Sequence, residues 1–338
     1  MTPTLVLLAA GMSTRYGRLK QLEPVGPGGE ALLDFSVFDA RKAGFGRVVL
    51  IVREELEDRF REHVRDRWPG EMEVVYHHQR QGDLAGVDPS RVPTAMAREL
   101  VEKREKPWGT AHALLTAEEY LPEPFVILNA DDFYGESAFL QAASLLDHGM
   151  PPAPGGLPVF GLLGYTLADT LSRHGGVSRG ICRVDREGWL EGVEEILEIE
   201  KVNGGVRGTT VPGEGVILSG QEPTSTNFWI FTPTFFSHLR EGFAAFLESL
   251  AVSSNGHPSA GASDGEAPEG GKRQRKTRPP EFLIPTEVNR LLAQGKARVV
   301  VLPADGPFFG ITHPPDREWV VNGLKKLLGN GHYPDALW

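Results

Sequence analysis

The chain of 338 residues holds a single cysteine, Cys182. An intramolecular disulfide framework is therefore excluded, and so is a zinc site built from several thiolates. No apolar run approaches the ~20 residues needed to cross a bilayer, and no basic n-region of a secretory leader opens the sequence. A membrane partner is therefore not expected, and the cytoplasm is the expected location. Positive charge is also scarce, with Lys and Arg numbering 35 against 45 Asp and Glu, for a formal net charge of −10. That balance argues against a nucleic-acid partner, because binding a phosphate backbone needs clustered cations. Hydrophobic residues at 40% and charged residues at 24% are ordinary for a globular protein large enough to bury a sizeable core.

What is present alternates. "TLVLLAA", "RVVLIVRE", "EVVYHHQ" and "PFVILNADD" are strand-like apolar runs. Between them lie helical patterns: Leu32, Phe35 and Phe38; then Leu56, Phe60, Val64 and Trp68; then "GTAHALLTAEEYL". This order predicts a Rossmann-like α/β fold whose mainly parallel sheet has helices on both faces. Ligands bind beyond the carboxyl ends of strands in such sheets. The middle is richer in strands, at "FGLLGYTL", "GICRVDREGWLEGVEEI" and "TSTNFWIFTP", and reads as a small β-rich, mixed or antiparallel extension with "DREG" as a hairpin turn. Helices are expected at "TFFSHLREGFAAFLESLA", at "EFLIPTEVNRLLAQG" and at the end of the chain, with a strand at "ARVVVLP". Residues 253–280 have almost no apolar content and are expected to be a disordered low-complexity loop within one domain spanning residues 1–338.

Two strand ends carry chemistry. In "AAGMSTRYGRLK", Ala9, Ala10 and Gly11 leave room for a ligand against the backbone, and successive N–H groups of such a turn form a nest for phosphate oxygens. Ser13 and Thr14 add hydroxyls, while Arg15 and Lys20 add charge. Neither the Walker pattern nor the dinucleotide fingerprint is present. At the second end, a carboxylate such as Asp131 after "FVILNA" points into the crevice and needs a counter-charge, which a hard divalent cation supplies. Asp132, on the opposite side of an extended backbone, is read as capping the next turn. His77, His78 and His112 lack i, i+4 metal spacing and are read as polar or packing residues.

"LAAGMSTRYGRLKQLEPV" resembles the signature loop of the sugar-phosphate nucleotidyltransferases. "KPWGTAHAL" resembles that family's helix start beside the nucleotide base, "FVILNADDFYG" its metal-holding strand end, and "GICRVDREGWLEGVEEI" its sugar-side hairpin. The resemblance implies a nucleotidyltransferase that joins an NTP to a sugar 1-phosphate, giving an NDP-sugar and pyrophosphate, with Mg²⁺ as cofactor. It implies nucleotide contacts from Ala9, Ala10, Gly11, Met12, Ser13, Thr14, Gly109 and Thr110. Arg15 would neutralise the β- and γ-phosphates, Lys20 would bridge the α-phosphate and the sugar phosphate, and Asp131 would hold the metal. Glu195 and Asn227 would contact the sugar, although Asn227 could instead bond a neighbouring loop. The sequence departs from the family pattern where Ile196 replaces a lysine after the hairpin Glu, with Lys201 as a substitute if the chain folds back. It departs again in "PFFGITHPPD", which has no Asp beside Phe309; Asp305 just before the stretch or Asp316 at its end is offered instead. Two alternatives stay open: a glycosyltransferase of similar architecture using a finished nucleotide sugar, and a non-catalytic nucleotide-sensing homologue. The base, the sugar and the oligomeric state are not legible.

Overall fold

Alternate residues of the opening strand, β1 (Thr4–Leu8), enter different cores. Leu5 and Leu7 join one and Val6 the other. The same alternation recurs in β2 (Arg47–Val52) and β4 (Phe125–Asn129), so the middle of the sheet is covered on both faces. A sheet buried on both sides explains why these runs are apolar throughout. The computed structural model describes residues 2–11, 19–80, 82–88, 104, 107–254 and 280–338.

One face is covered by α1 (Leu32–Lys42), α2 (Glu57–Arg67) and α4 (Glu136–His148), which insert Leu33, Val37, Phe60, Val64 and Phe139. The other face is covered by α3 (Thr110–Thr116), α5 (Phe235–Ser254) and α6 (Ile284–Ala293), through Leu114, Phe243, Leu247, Val288 and Leu291. The last helix, α7 (Asp316–Gly329), buries Val320 and Leu324 against Phe35 of α1. Helix α5 runs through Ser253 and Ser254, past the expected start of the loop; residues 255–279 lie outside the described residues.

Among the described residues the principal sheet is 11-stranded. β3 (Glu73–His78), β2, β1 and β4 are parallel neighbours. The expected α/β class is borne out, with the parallel pairing concentrated in this N-terminal part. The remainder is mostly antiparallel: β6 (Val159–Thr166), β7 (Val177–Val184), β8 (Leu190–Val202), β9 (Gly205–Thr210), β10 (Gly215–Leu218) and β11 (Pro223–Phe231). β12 (Arg298–Pro303) then returns to lie parallel to β6. The expected "DREG" turn joins β7 to β8, with Gly188 N–H donating to Asp185 O at 3.2 Å. A small second sheet pairs β5 (Asp132–Phe133) with β13 (Phe309–Gly310), placing Gly310 opposite Asp132.

The sheet forks at β11. Thr224 pairs with Tyr165 of β6 and Ile181 of β7, whereas Trp229 pairs with Leu162 of β6 and Ile127 of β4. β4 and β7 thus follow one another along the same edge of β11. Between them the register shifts, from Ser225 to Trp229, and Asn227 takes a positive φ of 69°. Asparagine tolerates that conformation better than most residues. The fork opens the cleft described next.

Candidate active site

Lys20 and Asp131 meet at the carboxyl ends of β1 and β4. The strand leaves the sheet through Ala9, whose N–H donates to Ile51 O at 2.8 Å, and Gln21 Nε2 donates to Gly11 O at 3.0 Å, fixing the departure. A short 3-10 turn at Lys20–Leu22 then turns Lys20 back across the strand ends. Its Nζ donates to Asp131 Oδ2 at 2.5 Å, with both side chains partly open to water. Met12, Ser13, Thr14 and Arg15 lie outside the described residues.

Beside this pair, a chain of hydrogen bonds crosses the fork and ends on Asp132. Trp229 Nε1 donates to Asn227 Oδ1 at 3.0 Å, Asn227 Nδ2 to Asn129 Oδ1 at 2.9 Å, and Asn129 Nδ2 to Asp132 Oδ2 at 3.0 Å. Below it, Tyr134 Oη accepts from Asn129 N at 3.2 Å and donates to Thr226 O at 2.9 Å. Asn227 is therefore bonded into a neighbouring strand end while still lining the cavity. Asp132 does not cap a helix as expected; the N-cap of α4 is Gly135, with no side-chain bond. Burial raises the Asp132 pKa, the Asp131 charge raises it further, and Lys20, Arg179 and the Asn129 bond oppose both.

The cavity in the fork encloses about 300 Å³. Its lining includes Asn129, Asp132, Asn227, Arg179 of β7, Glu195 of β8, and Thr286 and Asn289 of α6. Asn289 clamps the hairpin to α6, accepting from Val193 N at 2.8 Å and donating to Val193 O at 2.7 Å. Lys201 lines a different cleft, with Arg173 and Trp319. Arg179, which sequence reasoning passed over, is the cation on this wall, and its guanidinium carbon lies 5.6 Å from the Phe308 ring centroid. Asn129, also missed, is the residue that joins Asp132 to Asn227.

Gly109 and Thr110 open α3 at the cavity edge. Gly109 has φ 111°, and a Cβ there would stand 2.5 Å from Phe282 O, so the returning chain ahead of α6 requires glycine at this position. Thr110 Oγ1 accepts from Ile284 N at 3.2 Å and lines the cavity. His112 is buried: Nε2 donates to Asp83 O at 2.8 Å and Nδ1 accepts from Gln79 Nε2 at 3.0 Å, while desolvation pushes its pKa down to about 4.

The donor set suits a magnesium ion. Asp131 and Asp132 are adjacent carboxylates close enough to repel one another, and Mg²⁺ takes few protein oxygens besides those of a substrate phosphate. Among the described residues, no group of three or more His, Cys, Asp or Glu gathers as a fuller metal cage. Asp316 is otherwise engaged, accepting from Ser172 Oγ, His174 Nδ1, Thr312 N and His313 N, and Asp305 lines a separate cleft with Leu140 and Tyr333.

Residues 5–143, which carry the Lys20–Asp131 pair and the helix start at Gly109, match the MobA-like NTP transferase domain. Across 96% of the chain the fold is similar to that of UDP-glucose pyrophosphorylase complexed with UDP-glucose, at 16% identity, with 99% of that chain covered and a TM-score of 0.54. It is similar to the inositol-1-phosphate CTP transferase from T. maritima at 14% identity, covering 96% of this chain and 97% of that one, with a TM-score of 0.54. The same holds for HddC from Yersinia pseudotuberculosis complexed with GMP-PN, at 13% identity, 96% and 100% coverage and a TM-score of 0.51. No curated protein sequence matches the chain. The resemblance to NTP transferases read from the sequence is met over residues 5–143 by the domain match, and the solved structures share the fold. No helix among the described residues is long and apolar enough to cross a membrane.

Proposed function

We propose that the chain acts as one nucleotidyltransferase domain, joining an NTP and a sugar 1-phosphate into an NDP-sugar with release of pyrophosphate. The observation that carries this reading is the 2.5 Å contact of Lys20 with Asp131, beside a turn of small residues at the carboxyl ends of two parallel strands. A phosphate oxygen of the acceptor attacks the α-phosphorus, and the bond from that phosphorus to the β-bridging oxygen breaks. The nucleophile is already anionic, so no general base is required. What remains is to bring two polyanions into line, for which positioning supplies up to ~7–11 kcal/mol.

Lys20 sits where the α-phosphate and the acceptor phosphate would meet, and can exchange its bond to Asp131 for bonds to both. Asp131, with Asp132 beside it, would hold Mg²⁺, which when bound stabilises charge on the phosphate oxygens. On this reading Gly11 and the residues after it would bind the triphosphate, Arg15 would neutralise its departing end, Thr110 would contact the base, and Glu195 would contact sugar hydroxyls. Cytoplasmic supply of NTP fits the single cysteine.

Purified protein with Mg²⁺, a panel of NTPs and a panel of sugar 1-phosphates tests the reading through pyrophosphate release. Release that needs both substrates is expected. Transfer of sugar from a finished nucleotide sugar, without pyrophosphate formation from any NTP, would replace this function with glycosyl transfer.

A further inference from the structure

Arg179 carries a charge that no direct ion pair among the described residues meets. Its Nη1 and Nη2 donate to the carbonyls of Ser178 at 2.9 Å and Thr170 at 2.7 Å, both neutral acceptors. Its Nε is buried and meets no acceptor among the described residues. Arg179 forms no ion pair there either; Asp132 lines the same cavity without closing on it. Burial depresses the guanidinium pKa, and the carboxylates of Asp132 and Asp131 counter this only through space. A partly buried guanidinium whose only direct partners are neutral carbonyls, with carboxylates acting on it only through space, costs free energy until an anion closes on it.

The same contacts give it a fixed aim. Two carbonyls hold the plane of the fork, the Phe308 ring lies near it, and further N–H groups remain for a ligand. Across the ladder the residue paired with Arg179 is Ile196, buried and apolar, so at this rung the positive charge comes from β7. A neutral hydroxyl entering the fork would leave the guanidinium unpaired, whereas a phosphate satisfies it with paired, charge-assisted bonds.

We propose that Arg179 is the anion anchor of the fork cavity and selects a phosphomonoester as the acceptor, holding its phosphate beside Lys20. The identity of that ligand as the acceptor rests on the transfer reading above; the anion site itself does not. The acceptor's body then lies against Ser178, Thr286 and Glu195, which line the same space.

The test uses the full chain, with inorganic phosphate as probe and Arg179→Gln and Arg179→Lys as variants. Phosphate should raise the thermal unfolding midpoint of the wild type, and Arg179→Gln should lose that rise relative to its own phosphate-free midpoint. In turnover, Arg179→Gln should raise KM for the sugar 1-phosphate about 10- to 100-fold while KM for the NTP stays within about twofold. Arg179→Lys, which keeps the charge but not the fork, should fall between. Equal phosphate shifts in wild type and Arg179→Gln overturn the proposal. If Arg179→Gln does not fold, an unchanged acceptor KM in Arg179→Lys overturns it equally. A wild type that releases no pyrophosphate with any phosphorylated acceptor, yet whose phosphate shift depends on Arg179, removes the transfer reading and leaves the anchor standing.

Discussion

Lys20 reaches across 111 residues of chain to place its ammonium 2.5 Å from the carboxylate of Asp131. The pair is local to neither strand; it exists because β1 and β4 are parallel neighbours whose carboxyl ends stand side by side. Lys20→Met and Asp131→Asn should each lower pyrophosphate release about 10²- to 10³-fold, the usual cost of losing a group aimed at transition-state charge. Both side chains are partly solvated, so the unfolding midpoint should move little. Turnover near wild-type levels in either variant would sever the pair from the chemistry.

Gly109→Ala should be costly for a reason unrelated to nucleotide. Its φ of 111° is unfavourable for any side chain, and the added Cβ would press to 2.5 Å from the Phe282 carbonyl oxygen. A loss of roughly 1–3 kcal/mol is expected, measurable as a lower urea midpoint. An unchanged midpoint would mean that the segment before α6 does not pack as described.

His112 sets a limit on acid stability. Its folded pKa is depressed from 6.5 to about 4 by desolvation. The unfolded chain therefore binds a proton that the native state refuses between those values. Stability should fall as pH drops through this window, by up to about 1.4 kcal/mol per unit from this group. A histidine-resolved NMR titration checks it directly: the His112 ring should stay neutral at pH 5, and a midpoint near 6.5 would refute the assignment.

Asp39 acts in the opposite direction. Burial raises its pKa from 3.8 to about 8, even though Tyr333 Oη donates to Oδ2 at 2.6 Å. The native state holds this proton where the unfolded chain does not, so the contribution is complete below 3.8 and is lost as pH rises through about 8. Asp39→Asn should flatten the alkaline side of the stability profile. Thermal midpoints at pH 6 and pH 9 that fall equally in both proteins would count against a protonated Asp39.

Much of the frame was readable before any coordinates. Runs such as "RVVLIV" and "FVILN" are apolar throughout because both faces of the parallel sheet are covered, and that continuity is visible in sequence. Helix α4 escaped notice because its buried side includes three alanines, Ala138, Ala142 and Ala143, beside Phe139, which give a weak periodic signal. The hairpin of β9 and β10 was missed because β9 is rich in Gly and Thr and β10 is only four residues long. Within the site, Lys20 and Asp131 stood at strand ends where chemistry is expected. Arg179 did not: in "VSRGICRV" it reads as one more polar residue of an antiparallel strand. Its place in the cavity depends on β11 exchanging β7 for β4 along one edge, a long-range event that no local window contains.

The return of the chain after residue 279 has a consequence for how the polypeptide can be cut. β12 is zipped along β6 from Arg298 to Pro303, and Ile284, Val288 and Leu291 are sealed into the same interior as Trp108 and Phe243. A protease that nicks the backbone between Ser254 and Pro280 should therefore release nothing. The two fragments should co-elute, and neither should be obtainable in soluble form without the other.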